Sequence, residues 1–193
     1  AENQQYNNPK SKLDGAYLIY DNEEKHIYYN REYDFNGGRE RVGMGVLIAK
    51  YLQNHDDEVL LNSLKKYIKY VQKNLVCIET GEVFNDCNYD NSFTRLYNYP
   101  WFSLFYIELY KLLRDKNMLE IAYKIMLFFY NQGGEHFYAI EVPIVKLVEC
   151  LRESGMTDMA DNMIAWFKKH ADYIAETALD YPAHEVNYEQ SIV

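Results

Sequence analysis

The feature that most constrains the fold is a series of helical segments that come in pairs. Apolar side chains spaced three or four residues apart predict six helices. Their predicted ranges are 39–54, 56–75, 95–116, 117–131, 142–154 and 157–177. Residues that can cap a first turn support three of these starts, namely Asp56-Asp57, Asn117 and Thr157-Asp158. The loops within each consecutive pair are only a few residues long, so each pair is predicted to form an antiparallel helical hairpin.

The odd- and even-numbered helices differ in how their apolar residues are distributed. The second helix is amphipathic, with an apolar stripe opposite Lys65, Lys66, Lys69 and Lys73, and this lysine face should lie in solvent. The first and third helices are apolar almost all round, so they must be covered on every side. The fifth helix is intermediate and the fourth leans towards apolar. The pattern therefore predicts an inner layer of odd-numbered helices within an outer layer of even-numbered ones.

The residues outside these helices divide the chain into two predicted regions. Residues 1–36 contain a polar tail and two short extended runs, 16–20 and 26–29, which predict an amino-terminal β-hairpin. Residues 37–193 should form the helical unit, with three complete hairpins and the start of a fourth. Residues 191–193 look like the first turn of a seventh helix, and we therefore expect a longer parent chain. A second hairpin is predicted around Thr80-Gly81.

Composition narrows the classes of function. The net charge is −9, so neither nucleic acid nor an anionic membrane is an expected partner, and no apolar run reaches the length of about 20 residues that spans a bilayer. Tyrosine supplies 20 of 193 residues, which favours a wet, aromatic-lined cleft. The polar start at 1–8, which lacks an initiator Met, is interpreted as a mature end after signal removal or an artificial boundary. Export is favoured over a cytoplasmic location.

The cysteines and glycines give no sign of a metal, cofactor or disulfide scaffold. Three cysteines leave only one optional bridge, between Cys77 and Cys87. Neither paired-cysteine spacing nor a phosphate-binding glycine loop is present, and a Gly-x-Ser-x-Gly nucleophile motif is also missing. We therefore expect no cofactor and no metal.

Acidic and aromatic residues recur just before the odd-numbered helices. They occur at 39–40, 86–90, 135–141 and 181–190, a period of about 45 to 50 residues. With this repeat, the strings 37–45 (GGRERVGMG) and 181–189 (YPAHEVNYE) resemble the six-hairpin glycosidase-like superfamily, which folds as an (α/α)6 toroid. The resemblance implies an all-α fold of αα-hairpins that forms about half of a six-hairpin barrel.

The same resemblance implies a function and a covering partner. In such toroids the loops before the inner helices gather at one end and line a groove for oligo- or polysaccharides, which are cleaved by hydrolysis or β-elimination. The remainder of the toroid, or a partner chain, would cover the inner helices. No nucleic acid or membrane is expected among the partners.

Glycoside hydrolysis uses two carboxyl groups, one as a general acid and one as a base or nucleophile. The acidic candidates are Asp86, Asp90, Glu141 and Glu185, with Asp90 favoured and one of the two glutamates as its partner. Each of them could instead be a solvated carboxylate or a residue that stabilises a helix amino terminus. Glu40, between two arginines, fits an ion pair better than acid catalysis. Hydrolysis is the favoured activity.

A uronate-directed polysaccharide lyase is the alternative enzyme, and a non-catalytic glycan- or protein-binding module is the alternative outside catalysis. In a lyase, His184 or His136 would take the proton next to a uronic carboxylate, and an arginine or asparagine would neutralise that carboxylate. The predicted substrate-binding residues are Arg39, Tyr89, Asn91, Arg95, Tyr97, Tyr99, Trp101, His136 and Tyr188.

Two finer expectations concern rings and histidines. Pro100 disfavours helix at Tyr99, so some of the alternating rings at 97, 99 and 101 should face the cleft, whereas the core is favoured for Trp101. His26, His55 and His170 are predicted at exposed turns or helix ends, without a role in the site.

Overall fold

The computed structural model describes residues 3–27, 42–91, 95–137 and 142–177. A short antiparallel hairpin, β1 and β2, precedes six α-helices. The elements are β1 Tyr20–Asp21, β2 His26–Ile27, α1 Val42–Leu52, α2 Glu58–Asn74, α3 Asn98–Leu113, α4 Lys116–Asn131, α5 Ile144–Glu153 and α6 Thr157–Thr177, with a 3₁₀ helix at Gly134–His136 before α5. The prediction of an all-α fold with an amino-terminal β-hairpin is confirmed.

The helices pack in two layers, as in part of an α/α toroid. The central helix, α3, contacts α1 and α5 beside it and its hairpin partner α4. It is buried over most of its length, and even Ser103 and Glu108 are less than 9% exposed. The stripe of α2 that includes Leu64, Tyr67 and Val71 is buried, while its lysines face solvent. The inner and outer roles predicted for these helices therefore follow from where their apolar residues lie.

Helix ends are set by caps that the sequence shows only in part. Asp57 accepts a hydrogen bond from the Leu60 N–H at 2.9 Å and caps α2. The cap of α4 is Asp115, whose carboxylate accepts from the Asn117 N–H at 3.0 Å, so the helix starts before the predicted residue. The predicted bounds of the sixth helix match α6 at both ends.

Two glycines in α1 have different environments. A Cβ at Gly45 would lie 2.7 Å from the Tyr67 ring and 2.8 Å from the Phe105 ring, so this position lets α1 pack closely on α2 and α3. Gly43 is exposed, and apart from its chain neighbours and the backbone of its own helix no atom of the described residues lies within 4 Å of where its Cβ would be. Helix packing therefore explains Gly45 but not Gly43.

The amino-terminal segment is not a separate tail. Leu13, Ala16, Tyr17 and Leu18 are fully buried in the same core as the helices. Long-range hydrogen bonds hold it on α2, because the Gln5 amide donates to the Ser63 carbonyl at 2.8 Å and the Tyr17 hydroxyl bonds the Ser63 hydroxyl at 2.9 Å. Residues 5–18 therefore belong to the same core as the helices.

The two predicted hairpins are short. In the first, Tyr20 pairs with Ile27 and Asp21 with His26. In the second, a single bridge joins Val76 to Val83 around the predicted turn. Among the helices that the structure describes, none is long and apolar enough to cross a membrane.

Candidate functional site

The loops before α3 and α5 lie at the same end of the helices. A chain of rings links them, because Tyr99 at the start of α3 lies 6.4 Å from Phe129 near the end of α4, and Phe129 lies 6.1 Å from Phe137 before α5. Two of the four predicted loops are therefore neighbours. The other two, and part of the loop before α5, fall outside the described residues, so the structure does not place Arg39, Glu40, Glu141, His184, Glu185 or Tyr188.

The loop before α3 closes on itself through residues 85–91. The Asp86 N–H donates to the Asp90 carbonyl at 3.2 Å, and the Asp86 carboxylate accepts from the Cys87 N–H at 2.7 Å. Asn91 accepts from the Asn85 N–H at 2.9 Å. The Asp90 side chain is exposed on this loop. The two predicted acids are thus brought together, but on one loop rather than on facing walls.

This loop is anchored to the end of α2. The side chain and the carbonyl of Asn74 accept from the N–H groups of Asn88 and Tyr89, at 3.1 and 2.9 Å. Both of those residues have positive φ, 69° and 56°, and the two bonds hold the tight turn. The Tyr89 hydroxyl donates to the Gln72 carbonyl, which leaves its 43% exposed ring as the part that could meet a ligand.

Arg95 and Tyr97 form a stacked pair between this loop and α3. The guanidinium carbon of Arg95 lies 4.8 Å from the centroid of the Tyr97 ring. Both side chains are half-buried, so they combine a cation and an aromatic face that are partly open to solvent.

Tyr99 lies in the core rather than in a cleft. Helix α3 begins at Asn98, and Pro100 falls in its first turn, where the missing N–H has no intrahelical partner to lose. Tyr99 is 0% exposed and stacks on Phe128 at 5.5 Å, and burial raises the pKa of its hydroxyl. Its ring has no open face for a sugar. The expectation that Pro100 keeps Tyr99 out of the helix, and so leaves its ring free to face a cleft, is therefore wrong. Trp101 is half-buried and packs on the core.

The loop before α5 presents an exposed imidazole. The His136 side chain is 65% exposed, and its ring packs edge-on against Tyr173 of α6 at 5.0 Å. Its Nδ1 lies 3.9 Å from one oxygen of Glu135. The other oxygen of Glu135 is buried and accepts no hydrogen bond from the described residues. A positioned, accessible histidine therefore lies at the same end as the Asp86–Asp90 loop.

The prediction that His170 is exposed is wrong. This residue is 0% exposed, and its Nε2 lies 2.6 Å from the Phe137 carbonyl, which fixes the end of the loop before α5. Burial lowers its pKa, and the hydrogen bond to Phe137 and the charge of Glu135 oppose that shift. The helical stripe Met163, Phe167, His170 and Ile174 is the sequence signal that places it on the buried face of α6.

The three cysteines of this chain are unpaired, and two of them are buried. All three cysteines are free, so the optional bridge between Cys77 and Cys87 is not formed. Burial, followed by the charge of Asp86, raises the pKa of the Cys87 thiol to about 11, with Lys12 acting in the opposite direction. Across the described ranges no group of three or more His, Cys, Asp or Glu side chains could hold a metal ion.

Comparisons with known proteins give a structural likeness. No model of a protein family matches this chain, and no curated protein matches it. A solved structure described as a polysaccharide lyase superposes with a TM-score of 0.86 and is 37% identical in sequence. The match covers 98% of this chain and 29% of that one, so this chain spans less than a third of the structure that it matches. The finer resemblance to six-hairpin glycosidases stays a prediction.

Proposed function

We propose that this chain forms part of a polysaccharide lyase that cleaves a uronic-acid-containing glycan by β-elimination. The observation that carries the proposal is the likeness to a polysaccharide lyase, which extends over 98% of the chain at 37% identity. That likeness favours elimination, the alternative activity from the sequence, over hydrolysis. It also includes the amino-terminal segment, which belongs to the same core as the helices.

The reaction requires three functions from the protein. A base takes the proton from the carbon next to the carboxylate, a cation or amide neutralises that carboxylate, and the glycosidic oxygen leaves with a proton as a carbon–carbon double bond forms. The base and the acid act by positioned proton transfer, for which histidine is the commonest side chain. No oxidant or metal is needed for this balance of atoms and electrons.

The described residues offer candidates for two of these functions. His136 is the candidate base because its imidazole is exposed and held against Tyr173. Arg95, stacked on Tyr97, and Asn91 are candidates to neutralise the uronic carboxylate. His184, outside the described residues, is the second candidate base.

Hydrolysis receives less support from the geometry. A hydrolase places its two carboxyl groups on either side of the scissile bond. Asp86 and Asp90 instead lie on one closed loop, and the Asp86 carboxylate already accepts a backbone hydrogen bond. A hydrolytic pair would need Asp90 together with Glu141 or Glu185.

The two activities give different products, so one experiment separates them. The full-length chain is incubated with polygalacturonate, alginate and hyaluronan, and ultraviolet absorbance and new reducing ends are followed together. Elimination produces both signals, because each cleavage leaves an unsaturated sugar. Reducing ends without absorbance would refute elimination in favour of hydrolysis, and neither signal would favour a binding module.

Single variants test the assignments. With elimination established, His136→Gln or His184→Gln should lower kcat by about 10²- to 10⁴-fold, the usual contribution of a general base. His55→Gln is the matched control, because His55 is an exposed histidine in the loop between α1 and α2. Its ring stacks on Tyr51 of α1. If both site variants keep the activity of the control, a histidine base is refuted. Under hydrolysis, Asp90→Asn should instead abolish turnover with little change in stability, and full activity would remove Asp90 from the candidates.

We also propose that the remainder of a toroid covers the inner helices. Leu47 is 65% exposed, Tyr51 44% and Val145 64%, although all three lie on inner helices. A cavity of about 400 Å³ beside them is lined by Leu104 of α3 together with Pro143 and Val145. Large apolar side chains left open in this way mark a surface that meets another part of a protein.

A further inference from the structure

We infer that a lysine-lined groove between the amino-terminal segment and α2 binds an anionic glycan and extends the binding surface away from the Asp86–Asp90 loop. The inference rests on the proposed function for the class of ligand. The groove encloses about 420 Å³. Its walls carry Lys12 from the amino-terminal segment and Lys66, Lys69 and Lys73 from α2.

The amino-terminal segment turns an ordinary helix face into a concave one. Lys66, Lys69 and Lys73 are spaced so that they share one side of α2, and on a bare helix they would be a solvated face. Here the segment around Asn7 and Lys12 packs alongside them. The Lys66 ammonium donates to the Asn7 amide oxygen at 3.0 Å, which ties the two walls together.

The floor of the groove is firmly held. Tyr70 and Asn74 line it and are 2% and 4% exposed. The Asn74 amide donates to the Tyr70 carbonyl at 3.1 Å. Gln5 beneath the segment bonds two carbonyls, those of Gly15 and Ser63, at 3.0 and 2.8 Å. A groove with a fixed floor and long, adaptable cationic side chains can bind a flexible polyanion without reorganising the fold.

The charge of the groove is opposite to that of the whole protein. Four lysines and one carboxylate, Asp14, line it, whereas the chain as a whole carries a net charge of −9. Asp14 is partly engaged, since its carboxylate accepts from the Asn8 N–H at 2.8 Å. A local excess of positive charge in a concave site attracts anionic ligands, and the neighbouring polar groups, such as Ser11, can bind hydroxyls.

The groove leads directly to the candidate site. Asn74, at one end of it, accepts the hydrogen bonds that hold the turn at Asn88 and Tyr89. Lys12, on the opposite wall, lies close enough to Cys87 to lower the pKa of its thiol. From Lys66 to Lys73 the helix rises about 10 Å, so the cationic wall runs along α2 towards the Asp86–Asp90 loop. A glycan that enters the site can therefore continue along this wall.

The test compares two double variants that remove the same charge. Lys69→Gln/Lys73→Gln alters the groove, and Lys65→Gln/Lys168→Gln is the control, because both control lysines are exposed and neither lines the groove. Binding of the full-length chain to polygalacturonate, alginate and hyaluronan is measured by calorimetry at low and at physiological salt. Methyl-esterified polygalacturonate is the uncharged ligand control, and inorganic polyphosphate is the non-glycan polyanion.

We expect the groove variant to bind at least one polyuronate about 3- to 30-fold more weakly than the control variant, as for the loss of two exposed ion pairs. Added salt should weaken wild-type binding, and methyl esterification should reduce it. Equal binding by the two double variants, or failure of every polyuronate to bind, would refute the proposal that the groove binds an anionic glycan. Polyphosphate binding as tight as that of the best polyuronate would overturn its assignment to a glycan.

These outcomes are separate from those of the proposed function. If no unsaturated product forms but the groove variant still loses polyuronate binding, elimination fails and the groove stands. If product forms and the groove variant binds like its control, the groove fails and elimination stands.

Discussion

Gly81→Ala should destabilise the fold through the backbone of a neighbouring helix. Gly81 has φ = 84° in the turn that joins Val76 to Val83. A Cβ built there would lie 2.2 Å from the Lys124 carbonyl oxygen and 2.6 Å from the Ile125 nitrogen. Both atoms belong to the backbone of α4, so no rotation of a side chain can remove the clash. Either the turn or the helix must move.

The expected loss of unfolding free energy in Gly81→Ala has two parts. A non-glycine residue in the left-handed region costs about 1–2 kcal/mol. Forcing an extra methyl group into a packed contact costs typically about 1–3 kcal/mol more. The free energy of unfolding should therefore fall by about 2–5 kcal/mol. Gly155→Ala isolates the first part, because Gly155 has φ = 80° and, apart from Gly155 itself and its two chain neighbours, no atom of the described residues lies within 4 Å of the position that its Cβ would take. That variant should cost only about 1–2 kcal/mol.

Urea unfolding of the wild-type chain and the two alanine variants measures these differences. We expect the transition midpoint to fall in both variants and to fall further for Gly81→Ala, with similar slopes if the transitions remain two-state. Equal losses for the two variants would show that the close approach to α4 contributes nothing. A stabilised Gly81→Ala variant would also refute the assigned backbone conformation.

Buried titratable groups give two further predictions. The pKa of His170 is lowered in the folded state, so below about pH 6.5 the unfolded chain binds a proton that the folded chain does not. The free energy of unfolding should therefore be highest above that pH and should fall as the pH falls below it. His170→Phe should flatten that dependence and cost about 0.5–1.5 kcal/mol at pH 8 through loss of the hydrogen bond to the Phe137 carbonyl, and unfolding curves at several pH values that match the wild-type slope would contradict this. In alkylation followed by mass spectrometry, half-exposed Cys77 should react well before Cys87, whose burial raises the thiol pKa to about 11, and faster labelling of Cys87 would contradict its burial.

The helices could be predicted because their signals are local. In α2 and α6 the spacing of apolar residues predicts the buried stripe, and for α6 the predicted bounds match both ends of the helix. At the start of α3 the local signal gave a wrong prediction for Tyr99. A proline generally disfavours helix at the residue before it, but Pro100 is tolerated because it lies in the first turn. Tyr99 instead packs on Phe128 of α4, a contact that no local window contains.

The amino-terminal segment could not be predicted for the same reason. The sequence places Gln5 in a polar tail and Tyr17 in an extended run. Both are nevertheless buried, and both bind Ser63 of α2. Ser63, which bonds both, lies 58 residues from Gln5 and 46 from Tyr17. Burial of such polar groups is favourable only once these hydrogen bonds exist, so sequence polarity alone points to solvent.

For the candidate site, the sequence singled out the loops before the inner helices but not the contacts that their side chains make. The resemblance implied that the loops before the inner helices gather at one end, and the loops before α3 and α5 do lie at the same end. The hydrogen-bond partner of each side chain depends on contacts between segments that are distant in the sequence. Tyr89 donates its hydroxyl to the carbonyl of Gln72 on α2, and His170 binds Phe137 from the far end of α6.

Net charge alone does not describe the charge that a ligand meets locally, because it ignores distance. At physiological salt, charges separated by more than about 8 Å are largely screened, so an anion beside α2 responds mainly to the lysines that face it. The net charge of −9 is spread over the whole chain, whereas Lys12, Lys66, Lys69 and Lys73 meet in one groove. Only the folding of residue 12 onto α2 brings the four together, and they surround a space that leads to the Asp86–Asp90 loop. An acidic protein can in this way carry a cationic path for an acidic glycan.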